Sequence, residues 1–296
     1  LLTILTLQSA NSQVNAYSAL EGSRQLCYSY EKLFSAFRMS HDTFFHHATL
    51  VYGPRKAGTT LLQKLLDGTS SMLMLPGELK LKRLALRKNA PAPELVDYYA
   101  RKGRSDFPLL NAPDFAFEGL DAAQTRELFE AQIFAQKLTA LNGQNLQNSG
   151  EVFRADVENF ALCLKGSAQR PYARWSAKEV GGNPDVALQF FREALPDARA
   201  VFLVRNPNFI VRSILLDRRR KGVRLRLPQI WNECLEAQTI INYAFHHALK
   251  NETVVAYEHL TANTESEMRR IAKSLDLPFE EILTTPSTLG VPVVVR

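Results

Sequence analysis

The sequence predicts an α/β fold, a three-layer α/β/α sandwich built on a central parallel sheet. Short apolar strands alternate with amphipathic helices along the chain, which calls for a sheet covered on both faces. One strand, Ala48 to Tyr52, runs through Gly53 and a short loop directly into a helix. A second, Ala198 to Val204, is apolar at every position but Arg199, as a strand buried on both faces requires.

The 296 residues allow one large domain or two small ones at about 150 residues each. No repeat or Gly/Ser-rich linker divides them, so a single domain is expected over 46–296. It follows an N-terminal helical extension, 1–45, whose role the sequence does not give. Leu26, Tyr30, Leu33, Phe34 and Phe37 stand there at helical spacing. With 46% apolar and 22% charged residues the chain is globular, which excludes disordered, collagen-like and disulfide-scaffold classes. The net charge of +6 favours anionic ligands and is too mild to argue for nucleic acid. Cys27, Cys163 and Cys234 lie too far apart for a metal site and are odd in number for a disulfide framework. No apolar run approaches the roughly 20 residues that span a bilayer, so a membrane anchor is not visible. The sequon Asn251-Glu252-Thr253 carries little weight.

The elements follow in order. The helix after the first strand covers about 59–67, with Leu61, Leu62, Leu65 and Leu66 on its apolar face. Next come an apolar run, Met72 to Leu75, and a polar, basic region over 80–111. A single long helix is expected over 121–141, with Asp121 as N-cap. Strand Arg174 to Lys178, helix Pro184 to Ala194 and strand Ala198 to Val204 succeed it. Asn206-Pro207 then caps and starts another helix carrying Ile210, Val211 and Ile214. A helix over 228–249, a strand over 253–256 and a helix over 264–275 complete the pattern.

The segment VYGPRKAGTTLLQKLLD, residues 51–67, holds the most chemistry. A strand ending in glycine, a G-x-x-x-x-G-T-T loop and an immediate helix gather backbone N–H groups and a helix N-terminus around a small volume. Such a cradle suits a phosphate or sulfate group. A nucleotide-kinase loop needs Lys directly after the second glycine. Thr59 stands there instead, and the lysine, Lys56, lies inside the loop.

This P-[KR]-x-G-T-T pattern resembles the 5′-phosphosulfate loop of sulfotransferases, which use a P-loop-like fold. These enzymes move a sulfonate from 3′-phosphoadenosine 5′-phosphosulfate (PAPS) to a hydroxyl or amine, leaving 3′-phosphoadenosine 5′-phosphate (PAP). The resemblance implies donor contacts from Arg55, Lys56, Ala57, Gly58, Thr59 and Thr60, with Lys56 near the bridging oxygen. Ala57 replaces the commoner serine or glycine. A second segment, PDARAVFLVRNPNFIVRSIL (196–215), resembles the family's 3′-phosphate motif, with Arg205 and Ser213 at the family's separation. The planar fork of an Arg donates two parallel hydrogen bonds to a phosphate, and Ser adds a neutral donor. Tyr257-Glu258-His259-Leu260 and TPSTLG (285–290) resemble two further family segments more weakly.

Sulfonate transfer needs a general base near the acceptor oxygen. None of His41, His46, His47, His246, His247 or His259 sits in the K-T-H context of the cytosolic enzymes. Golgi-type and many bacterial relatives instead use a Glu about twenty residues past the loop's basic residue, and Glu78 holds that place. The alternative reading of Glu78 is a surface carboxylate paired with Lys80 or Lys82. Lys178, in WSAKEVGGNP, resembles a family lysine that holds the sulfonate, and is equally readable as a strand cap. The run DRRRKGVRLRL (217–227), six of whose eleven residues are basic, reads as a solvated helix end or as an attractor of acidic acceptors.

The reading is therefore a PAPS-dependent sulfotransferase with Glu78, Lys56 and Lys178 as catalytic residues and no metal. A carbohydrate or tyrosyl peptide is the expected acceptor, bound by variable loops over 79–120 and 142–172. The rival readings are a P-loop kinase with an altered loop and a non-catalytic nucleotide-binding module. The compartment, whether cytoplasm or a Golgi lumen behind a removed anchor, and the oligomeric state are not legible.

Overall fold

A computed structural model describes residues 44–98, 112, 114–223, 226–246 and 252–295. Residues 44–296 form one compact unit. The expected N-terminal helix, Cys27, His41, His247 and Asn251 of the sequon lie outside the described residues.

Five parallel strands make the central sheet, in the order β2-β3-β1-β4-β5. They are β1 (Ala48–Gly53), β2 (Met72–Glu78), β3 (Arg174–Val180), β4 (Arg199–Val204) and β5 (Glu252–Ala256). Helix α1 (Thr59–Leu66) follows β1, and α2 (Leu81–Ala85) and α3 (Ala92–Tyr98) follow β2. Between β2 and β3 the chain also builds α4 (Ala122–Leu128), α5 (Ala131–Ala140) and α6 (Ser149–Leu162). Helix α7 (Pro184–Ala194) links β3 to β4; α8 (Pro207–Arg220) and α9 (Leu227–His246) link β4 to β5. Then come α10 (Tyr257–Ala262), α11 (Thr264–Ser274) and a hairpin of β6 (Ser287–Thr288) and β7 (Val291–Pro292).

The two-residue alternation of a strand divides the core into two layers. Leu50 and Tyr52 of β1, with Phe202 and Val204 of β4, pack on one side against α6, α7 and α9. Val51, Val201 and Leu203 point the other way, against Leu62, Leu65 and Leu66 of α1 and Met268 and Ile271 of α11. This is the expected α/β/α sandwich.

Three expectations need correction. The single helix over 121–141 is two helices. Asp121 caps the first as expected, accepting a hydrogen bond from the Gln124 N–H at 2.8 Å. The chain then turns extended at Phe129, which bridges to Leu164. Phe129 is buried, its ring 4.7 Å from that of Phe160, so aromatic packing overrides helix continuity there. The expected loop over 142–172 contains α6, whose Val152, Phe153, Val157 and Phe160 fill the core. The apolar run expected over Met72 to Leu75 is longer and continues as strand through Glu78, which therefore ends β2.

Candidate active site

Each of the five strands delivers part of the site at its carboxyl end, where open α/β sheets bind ligands. The cleft there, of about 640 Å³, is lined by Arg55, Lys56, Gly58, Thr59 and Thr60 after β1 and by Glu78 and Lys80 at the end of β2. Val180 ends β3, Arg205 follows β4 with Ser213 and Asp217 on α8, and Tyr257 follows β5.

The loop's shape depends on two left-handed residues. Lys56 has φ 62° and Gly58 has φ 100°, a conformation that disfavours a side chain. A Cβ on Gly58 would lie 2.3 Å from the Tyr257 ring. Gly58 is the N-cap of α1 and no side chain caps that end; its carbonyl accepts from the Leu61 N–H at 2.9 Å, which leaves the N–H groups of the cleft residues Thr59 and Thr60 without an intrahelical partner. The Ala57 side chain is buried against Ile210, Ile214 and Ala237, which ties the loop to α8 and α9. Ala57 thus does not line the cleft with a side chain.

Arg205 crosses from β4 to this loop. Its guanidinium donates to the Lys56 carbonyl at 2.9 Å and to the Ser213 hydroxyl at 3.3 Å, and stacks over the Tyr257 ring at 4.3 Å. The buried Arg205 Nε has no hydrogen-bond partner. The Glu258 carboxylate accepts from the Asn206 N–H at 3.0 Å, fixing the next turn. Tyr257 and Glu258, part of a weak resemblance in the sequence, thus brace both the glycine loop and the segment after β4 from the start of α10.

Glu78 is in register with Lys178 on the neighbouring strand. Its carboxylate reaches the cleft and also pairs with the Lys80 ammonium, the pairing that the plainer sequence reading anticipates. Lys178 is buried and donates to the Thr60 hydroxyl at 2.9 Å. It stands behind the cleft wall and holds one of the residues that forms it.

Sequence reasoning missed two carboxylates. Asp217 accepts from Lys56 at 3.1 Å and Lys221 at 3.0 Å, and bonds to Lys221 and Lys56 hold its carboxyl below the usual carboxylate range. It opens the basic run and was masked by its neighbours. Glu179, beside Lys178 but on the opposite face of β3, is buried and accepts from the Leu81 N–H at 2.8 Å. Burial pushes its carboxyl up to about 8, and the nearby Glu78 adds to the rise. Among the basic run, Lys221 reaches the cleft and Arg218 pairs with Glu233 at 3.6 Å.

The TPSTLG segment lies elsewhere. Ser287 and the Gly290 N–H each donate to the buried Asp67 carboxylate at 2.7 Å, clamping the end of α1 opposite the loop. Among the described residues no cluster of side chains has the makings of a metal site.

Glycine loop, Arg205 and Ser213 thus gather around one cleft at the carboxyl edge of a P-loop-like sheet. The chain belongs to the sulfotransferase family, whose defining pattern matches residues 49–281. Among solved structures, the sulfotransferase domain of the Synechococcus PCC 7002 olefin synthase is similar, with a TM-score of 0.54 at 15% identity over 82% of this chain and 78% of that one. The likeness is one of fold. The sulfotransferase domain from the curacin biosynthetic pathway matches with a TM-score of 0.49 at 20% identity, over 81% of this chain and 77% of that one. A Mycobacterium avium sulfotransferase matches with a TM-score of 0.47 at 15% identity, over 86% and 70%. No curated protein matches the chain.

Proposed function

We propose that this sulfotransferase takes its sulfonate from PAPS and passes it to a hydroxyl or amine of a carbohydrate or tyrosyl-peptide acceptor. The observation that carries the donor assignment is Arg205. Its guanidinium joins the glycine loop to Ser213 and keeps a buried Nε without a partner, as a site prepared for a second anionic group would. One nucleotide bearing a 5′-phosphosulfate and a 3′-phosphate matches two anion cradles in one cleft.

In this reading the α1 N-terminus, Thr59 and Thr60 hold the 5′ group, and Arg205 with Ser213 holds the 3′-phosphate. Glu78 takes the acceptor proton as the acceptor oxygen or nitrogen bonds to sulfur. The bond from sulfur to the bridging oxygen breaks, and that oxygen keeps the electron pair on the departing phosphate. Lys56 and the loop N–H groups stabilise the charge that develops there. Lys178 acts by orienting Thr60. For Glu78 to serve, its pairing with Lys80 must yield to the acceptor. The kinase reading lacks its lysine, since Thr59 occupies that position and is buried.

An acceptor array incubated with sulfur-labelled PAPS tests the proposal. Label is expected on a glycan or tyrosyl peptide. Magnesium-dependent phosphate transfer from ATP, with no label moved from PAPS, would overturn it.

A further inference from the structure

Helices α8 and α9 form a hairpin whose tip is exposed and, among the described residues, uncovered. Leu216, Val223, Leu227 and Trp231 project there, Leu227 and Trp231 at 81% and 65% exposure. On α9, Leu227, Trp231 and Leu235 follow one another at i, i+4, i+8, away from the face where Ala237, Ile240 and Ala244 are buried. Cations stand among them: Arg219, Arg220 and Arg226 are exposed and have no ion-pair partner among the described residues. Arg218 and Lys221, by contrast, are held by Glu233 and Asp217.

We propose that this hairpin tip docks on an anionic membrane surface, with Leu227 and Trp231 entering the headgroup boundary and Arg219, Arg220 and Arg226 meeting lipid phosphates. The proposal goes beyond the sulfotransfer reading and does not depend on it. Charge complementarity selects the occupant. A second copy seated symmetrically on this face would oppose three unpaired arginines to their own counterparts. Apolar side chains on an exposed helix, with Arg219 and Arg220 at the end of α8 and Arg226 just before α9 beside them, match an apolar edge entering a bilayer interface, where Trp is favoured. Lys221 and Asp217, on the same hairpin, line the active-site cleft, so docking would bring its mouth to the lipid surface.

The chain has two tryptophans, and Trp175 is fully buried, so Trp231 reports on the tip. The full chain should sediment with phosphatidylcholine vesicles containing phosphatidylglycerol, not with phosphatidylcholine alone, and its emission should shift to the blue. Arg219→Gln, Arg220→Gln and Arg226→Gln together should lower partitioning about 100-fold, from roughly fivefold per cation at a charged surface. Leu227→Asp should lower it at least tenfold. Trp231→Phe should abolish the emission shift while the chain still sediments. These side chains are exposed, so unchanged circular dichroism is expected. Failure to bind anionic vesicles, or binding indifferent to these substitutions, overturns the proposal. So does a dimer in sedimentation equilibrium that Leu227→Asp dissolves, or a Trp231 shielded from acrylamide in the free chain.

Discussion

The Lys56 ammonium lies 3.1 Å from the Asp217 carboxylate, so the loop's only lysine is engaged by a protein anion on α8. In the proposed reading an incoming donor competes with that carboxylate for Lys56. Asp217→Asn should therefore tighten PAP binding by up to about fivefold, the scale of a half-exposed ion pair. The gain should shrink as salt rises. Weaker binding in calorimetry would instead make Asp217 the residue that aims Lys56.

Glu78→Gln keeps side-chain shape and cannot accept a proton. Turnover should fall by ~10²- to 10⁴-fold, the range of general-base catalysis. PAP affinity should stay near that of the wild type, because the proposal gives Glu78 the acceptor and not the nucleotide. A rate change no larger than an exposed ion pair explains, under ~1 kcal/mol, would leave Glu78 as the partner of Lys80 alone.

Glu179 titrates at about 8 in the fold against an ordinary 4.5, so folding favours its protonated form. Its contribution to stability is complete below the lower value and is lost as pH rises through the upper one. Glu179→Gln retains an acceptor for the Leu81 N–H and removes the titration. In denaturant melts, wild type should lose stability relative to the variant between pH 5 and about 8.5. A difference that stays constant with pH would contradict the assignment.

Gly58→Ala should lower the melting temperature and weaken PAP binding at least tenfold, through a left-handed backbone and contact with the Tyr257 ring. Tyr257→Ala removes the contact and leaves the backbone strain. The double variant should lose less than the two single losses added together. Simple additivity would mean that the ring does not shape the loop.

The loop and the Arg205–Ser213 pair were legible because each lies within one strand–turn–helix segment, where spacing in sequence fixes spacing in space. Continuous apolar runs likewise marked β1 and β4. What escaped depends on distant contacts. The break at Phe129 follows from a ring seated on Phe160, and α6 is anchored by Phe153 and Phe160, whose ring partners Trp175, Phe191 and Phe134 come from β3, α7 and α5. Asp217 meets Lys56 only because α8 packs beside the loop. Glu179 is adjacent in sequence to Lys178, yet the alternation of β3 puts it on the opposite face, in the core.

The donor assignment is tested most directly by titration calorimetry of PAP and AMP against wild type and Arg205→Ala. The account predicts that wild type prefers PAP, since Arg205 and Ser213 address the 3′-phosphate that AMP lacks. Arg205→Ala should weaken PAP by about 1.5 to 3 kcal/mol, the loss of a charge-assisted hydrogen bond, and leave AMP almost unchanged. Equal losses for both nucleotides, or no preference for PAP in the wild type, would contradict it.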